Sequence, residues 1–151
     1  MKRLKVLVFA AATGRIGHVY LLGDRLLDWG LSRRASRSTK DATEYATKVI
    51  EHLNPDVVVT EELAKSSTKG WKTRQLLDAI GAVALNTRLL DIRVKRPHNF
   101  PNKYEEAAYL ATRFPEIAAW VPRKRRLWES EPRVTVLFEA LALGLTVIAE
   151  N

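Results

Sequence analysis

Hydrophobic and polar positions along the chain change period several times, and each change predicts an element. Val6-Leu7-Val8-Phe9 is a short apolar run of strand length, followed by a turn over Ala10-Ala11-Ala12-Thr13-Gly14. Gly17 to Leu22 is a second strand. Gly23-Asp24 supplies a tight hairpin, and Arg25 to Leu31, with Leu26, Leu27 and Trp29, gives a third. Three strands joined by short turns predict an antiparallel meander. Ser32 to Arg37 reads as a basic loop, after which Ser38 and Asp41 have capping-box spacing. Ala42, Tyr45, Ala46, Val49, Ile50 and Leu53 then recur at steps of three and four, the stripe of an amphipathic helix ending near Asn54-Pro55.

Asp56 to Thr60 is a β-branched run with the character of a central strand, and Glu61-Glu62 stands at its carboxyl end. A polar loop from Lys65 to Gly70 leads into a helix carrying Leu76, Leu77, Ile80, Val83 and Ala84. Leu89 to Val94 reads as a fifth strand, Lys95 to Lys103 as a Pro-containing loop, and Tyr104 to Phe114 as a helix. Val134, Leu137, Phe138, Leu141, Ala142, Leu145 and Ile148 form the apolar face of a last helix. The order βββ-α-β-α-β-α-α predicts a mixed five-stranded α/β sheet with helices on both faces. Neither a repeat nor a low-complexity tract interrupts it, so residues 1–151 are expected to form a single domain.

Composition narrows the function. The 151 residues carry 25 Lys+Arg against 17 Asp+Glu, a formal charge of +8, and no cysteine. Disulfide scaffolds and zinc–thiolate sites are thereby excluded. The apolar start is only strand-length, and no run approaches the roughly 18–20 apolar residues of a membrane span. A soluble, cytoplasmic protein is expected. The basic balance, with a pI near 10.0, favours a polyanionic partner, most simply nucleic acid.

Two carboxylates stand out. Glu61 closes an apolar strand, and ligand sites of open α/β sheets gather at carboxyl ends of strands. A solvated loop position is an equally good reading. Glu139 lies within the apolar run of the last helix, where a partly buried carboxylate would need a cation or metal. An ordinary solvent-facing helical Glu is the slightly favoured alternative. Two such acids could hold Mg²⁺, a hard cation that takes oxygen ligands.

The basic residues form four groups: Arg33/Arg34/Arg37, Lys65/Lys69/Lys72/Arg74, Arg93/Lys95/Arg96 and Arg123 to Arg126. Trp71 and Trp128 lie beside two of them. Cations with interleaved aromatics suit phosphate neutralisation and base stacking, although each tryptophan could equally pack in the core. His18, His52 and His98 have no metal-ligand spacing and read as structural or exposed. Gly14-Arg15-Ile16-Gly17 is too short for a dinucleotide or P-loop signature.

Three of these stretches, taken in order, resemble the RNase H-like nucleases, specifically the RuvC-type Holliday-junction resolvases and their YqgF-type relatives. Thr13-Gly14-Arg15-Ile16-Gly17 is similar to the turn after the family's first strand. Pro55 to Glu62 is similar to the strand that ends in a catalytic Glu, and Phe138-Glu139-Ala140-Leu141-Ala142-Leu143 to the acid-bearing last helix, with Glu139 in place of Asp. The resemblance implies an RNase H-like fold and a metal-dependent, structure-selective endonuclease acting on branched or structured DNA. It implies Glu61 and Glu139 as catalytic metal ligands and Mg²⁺ as cofactor. Arg15, Lys69, Lys72 and Arg74 are the candidate phosphate contacts, Lys69 and Lys72 because they follow the strand that bears Glu61. A homodimer through the helix containing Gly81 is also implied, against which stands plain packing of that helix on its own sheet.

The chain departs from the family's pattern twice. Ala10 occupies the first-strand Asp position, and Val136 the place of an Asp one turn before Glu139. Two of four acids remain, which implies reduced or absent cleavage. Three arrangements are compatible with this. The protein is a relative that binds without cutting, or position 10 carries an introduced Asp→Ala change, or Glu62 or Glu131 completes a metal site with Glu61 and Glu139. A non-catalytic interaction or dimerisation module is the alternative function.

Overall fold

A computed structural model describes residues 3–64, 67, 69–122 and 132–149. Its strands are β1 (Lys5–Ala12), β2 (Arg15–Leu22), β3 (Arg25–Ser32), β4 (Val57–Glu61) and β5 (Leu90–Val94). Its helices are α1 (Thr39–Leu53), α2 (Trp71–Asn86), α3 (Lys103–Arg113) and α4 (Thr135–Ala149). Short 3₁₀ turns occupy Arg34–Ser36 and Pro115–Trp120. The sheet order is β3-β2-β1-β4-β5, with β1 antiparallel to β2 and parallel to β4. This is the expected mixed five-stranded sheet.

Strand alternation divides the core into two layers. Val6, Val8 and Ala10 of β1 and Val57 and Val59 of β4 face α3 and α4, whereas Leu7, Phe9, Ala11 and Val58 face α1 and α2. Helix α4 is apolar on almost every side, because Val136 to Leu143 is buried throughout. Gly17 lets it lie close to the sheet. A Cβ there would stand 2.9 Å from Val136 Cγ1 and 3.3 Å from a Leu137 methyl.

Local chemistry explains the element ends. The Ser38 side chain accepts the Asp41 N–H at 3.0 Å and starts α1, and Asn54 ends it in the left-handed region at φ 50°. Asn102 caps α3 through two backbone N–H groups. The first turn is tighter than the pattern predicts. Ala10, Ala11 and Ala12 stay in β1, paired with Gly17, Ile16 and Arg15, so only Thr13-Gly14 turns, with Gly14 at φ 79°. Three consecutive small residues read as a loop, but their pairing with β2 continues the strand through them.

Among the described residues, no helix is long and apolar enough to cross a membrane. Helix α2 packs within the chain. A Cβ on Gly81 would meet Arg93 Nη2 at 2.6 Å and Asp91 Oδ2 at 2.7 Å, so the close approach at this glycine is to β5 of the same chain.

Candidate functional site

Glu61 ends β4. Alternation from Val57 and Val59 directs its side chain to the α4 layer, where it is buried. Glu62 is exposed, and its N–H bonds to Val94 O at 2.8 Å. Glu139 is buried as well, not solvent-facing, because α4 is covered on nearly every side. The β1–β4 register, which pairs Val8 with Val59, puts Ala10 level with Glu61 when continued by two residues. A fully buried methyl therefore occupies the place beside Glu61.

The two carboxylates meet across one ammonium. Lys69 Nζ donates to Glu61 Oε1 at 2.7 Å and to Glu139 Oε2 at 2.8 Å. Arg96, two residues past β5, reaches the other Glu139 oxygen at 3.2 Å through Nη1 and donates from Nη2 to Glu106 Oε1 at 2.7 Å. Glu106, on α3, is also buried. Burial opposes the Arg96 charge, but the surrounding Glu139, Glu106 and Glu61 outweigh it and push its pKa up. Three buried acids are thus matched by two cations in a continuous chain of ion pairs. A cleft of about 440 Å³ opens beside it, lined by Glu61, Glu62, Lys69, Lys95, Arg96 and His98 among others.

A second cleft, of about 540 Å³, lies between the Thr13-Gly14 turn, the Arg34–Ser36 turn and the start of α2. Arg33, Arg37 and Lys72 line it together with Thr13, Gly70 and Thr73. Gly70 precedes α2 with no side-chain cap, and the adjoining Trp71 is 72% exposed. This tryptophan is therefore not in the core.

The expected phosphate contacts separate. Lys72 lines the basic cleft. Lys69 is engaged with the two carboxylates. Arg74 donates to the carbonyls of Leu63 and Ala64 at 3.4 and 3.3 Å, holding the loop after β4. Arg15 donates to Thr13 O at 3.0 Å across the β1–β2 turn. Lys65, the cluster Arg123 to Arg126, Trp128, Glu129 and Glu131 lie outside the described residues.

Sequence reasoning missed two arrangements. Arg96 was visible only as one cation of a group, although its place just past β5, next to the Glu61 end of β4, was a usable signal. The second lies in the other layer, under α1. There His18 is buried, with Nδ1 2.6 Å from Tyr45 Oη and Nε2 2.8 Å from Asp28 Oδ2. With Nε2–H donating to Asp28, Nδ1 accepts from the Tyr45 hydroxyl. Burial holds the His18 pKa below its ordinary value despite Asp28, and it raises that of Tyr45. Gly30 makes room for the ring, since a Cβ there would stand 2.7 Å from His18 Cε1.

The architecture is similar to Thermus thermophilus RuvC, with 15% identity, a TM-score of 0.70, and coverage of 97% of this chain and 95% of that one. It is also similar to the Fowlpox virus resolvase solved with its substrate Holliday junction DNA, with 13% identity, a TM-score of 0.64, and coverage of 97% and 98%. The yeast mitochondrial Holliday junction resolvase is more distant, with 9% identity, a TM-score of 0.53, and coverage of 99% and 83%. At these identities the likeness is one of fold: the RNase H-like fold in the form that Holliday junction resolvases share. No family model matches the chain, and no curated protein matches it in sequence.

Proposed function

We propose that this chain binds branched or structured DNA as a resolvase-like protein of the cytoplasm, and that it does not cut. The observation that carries binding is the cleft lined by Arg33, Arg37 and Lys72, with the exposed Trp71 standing in sequence between its lining residues Gly70 and Lys72. Three converging cations suit a phosphate backbone, and an exposed indole suits an unstacked base. Both lie at the carboxyl-edge end of a sheet whose relatives were solved with Holliday junction substrates.

The donor set does not fit the Mg²⁺ that the family resemblance implies. Mg²⁺ takes near-octahedral oxygen ligands at about 2.1 Å. Here the facing oxygens of Glu61 and Glu139 both accept from Lys69, the second Glu139 oxygen faces Arg96, and Ala10 offers no donor. Among the described residues, no three His, Cys, Asp or Glu side chains gather into a metal-holding group. Among the described residues, hydrolysis by metal-activated water therefore has no third acid beside Glu61 and Glu139 to draw on.

Fluorescence anisotropy with a four-way junction and a linear duplex of equal length tests the proposal. Tighter binding to the junction, unchanged by EDTA, is expected, with a steep salt dependence from the cationic cleft. Absence of binding at low salt overturns the DNA reading. Junction cleavage in Mg²⁺ that Glu61→Gln abolishes overturns the non-cutting one. A homodimer would register as two chains per junction in sedimentation.

A further inference from the structure

We infer that the Lys69 ammonium is the built-in counter-ion of the Glu61–Glu139 pair and keeps divalent cations out of it. The inference deepens the non-cutting reading above and rests on the same two carboxylates.

The geometry is that of a shared cation. One Nζ lies at hydrogen-bonding distance from an oxygen of each carboxylate, which brings those oxygens within about 5.5 Å of each other. Two buried carboxylates at that separation repel as anions unless a proton or a positive charge lies between them, and here the ammonium does. A divalent ion placed there would stand against the ammonium, and Arg96 is already on the far side of Glu139. Like charges so close and so poorly solvated repel strongly, so the ion enters only if Lys69 leaves.

Backbone contacts anchor the residues around Lys69. Its N–H bonds to Ser67 Oγ at 3.2 Å, and the Arg74 guanidinium clasps the same loop at Leu63 and Ala64. Gly70 and α2 follow immediately, so the helix start fixes the other end of the short segment. The Lys69 side chain is 17% exposed, so its ammonium is partly shielded from water where it lines the cleft.

Mn²⁺ titration followed by electron paramagnetic resonance tests this on the full chain without DNA. The wild-type protein should show no saturable Mn²⁺ binding up to millimolar concentration. Lys69→Met should bind Mn²⁺ at least tenfold more tightly, and adding Glu139→Gln to it should remove that gain. Saturable wild-type binding that Glu61→Gln abolishes overturns the inference. So does a folded Lys69→Met protein that binds no better than wild type.

A second measurement needs no variant. Paramagnetic broadening by Mn²⁺ of the Glu61 and Glu139 backbone amides should be absent in the wild-type spectrum, and its presence overturns the inference even where Lys69→Met fails to fold. Mn²⁺ binding by wild type without junction cleavage overturns this inference alone, whereas Glu61-dependent cleavage overturns the non-cutting reading, so the two fail separately.

Discussion

Arg96 ties three elements together, and replacing it with methionine isolates what that tie contributes. Its two terminal nitrogens hold Glu106 of α3 at 2.7 Å and Glu139 of α4 at 3.2 Å, from the segment that leaves β5. The side-chain exposures are 20% for Arg96, 8% for Glu106 and 9% for Glu139, so water screens these pairs weakly. Methionine preserves most of the apolar stem and deletes the charge. Glu139 keeps Lys69, but Glu106 loses the guanidinium that accounts for its buried charge.

Removing one partner of a buried pair costs about 3–5 kcal/mol, most of it from the charge left behind. A domain of this size has total stability of about 5–15 kcal/mol, so Arg96→Met should consume a large part of it. At about 2–4 °C per kcal/mol the melting temperature should fall by roughly 6–20 °C.

Urea unfolding followed by circular dichroism measures the effect, and a double-mutant cycle assigns it. Glu106→Gln in the Arg96→Met background should recover part of the loss, a coupling of about 0.5–3 kcal/mol. Arg96→Lys should fall between wild type and Arg96→Met, because one ammonium cannot present the planar fork that reaches both acids. A loss within about 0.5 kcal/mol, as for a surface substitution, would refute the reasoning, as would strict additivity with Glu106→Gln.

The buried imidazole gives a pH prediction. With the folded pKa of His18 lowered by burial, the unfolded chain binds the extra proton first, so stability is full above about pH 6.5 and falls as pH drops toward the lowered value. Thermal melts from pH 8 to 5 should show this slope, and His18→Gln should flatten it. Gly17→Ala should cost about 1–3 kcal/mol in denaturant unfolding, because its Cβ would drive Val136 and α4 off the sheet. Arg33→Ala, Arg37→Ala and Lys72→Ala should each reduce the salt slope of junction binding by about 1, read from anisotropy at several salt concentrations. Trp71→Ala should weaken binding by about 1–3 kcal/mol with little change in stability, since the indole is exposed.

The legible parts of the fold were those in which one signal dominates. The β-branched run from Val57 to Val59 and the period of α1 need no tertiary information. The small-residue end of β1 was harder to read, since Ala10 to Ala12 have no strand propensity of their own and are kept extended by pairing with β2. Both acids were identifiable from position, but their state was not. Whether Glu139 faces solvent depends on how completely α4 is covered, and periodicity cannot report that for a helix apolar on all sides. The role of Lys69 was hidden for a related reason. A lysine in a polar loop reads as a phosphate contact until the register of β4 and the placement of α4 bring two carboxylates to its ammonium.

That placement also reconciles an acidic centre with a basic surface. A DNA backbone approaching the carboxyl edge of the sheet would meet two negative side chains if Glu61 and Glu139 stood alone, and repulsion at such range would oppose binding. In a metal-loaded site the bound ions cancel that charge. Here Lys69 and Arg96 cancel most of it from within, leaving Lys95 and Glu62 at one cleft and Arg33, Arg37 and Lys72 at the other to set the potential that the backbone meets. Alanine at position 10 is consistent with the same arrangement. A third carboxylate beside Glu61 would add a fourth buried acid to the three that Lys69 and Arg96 already face, and no further cation is paired with them among the described residues. On the proposed reading, Ala10 and the internal cations belong to one charge balance, in which Lys69 and Arg96 hold the two glutamates in the place a metal would take.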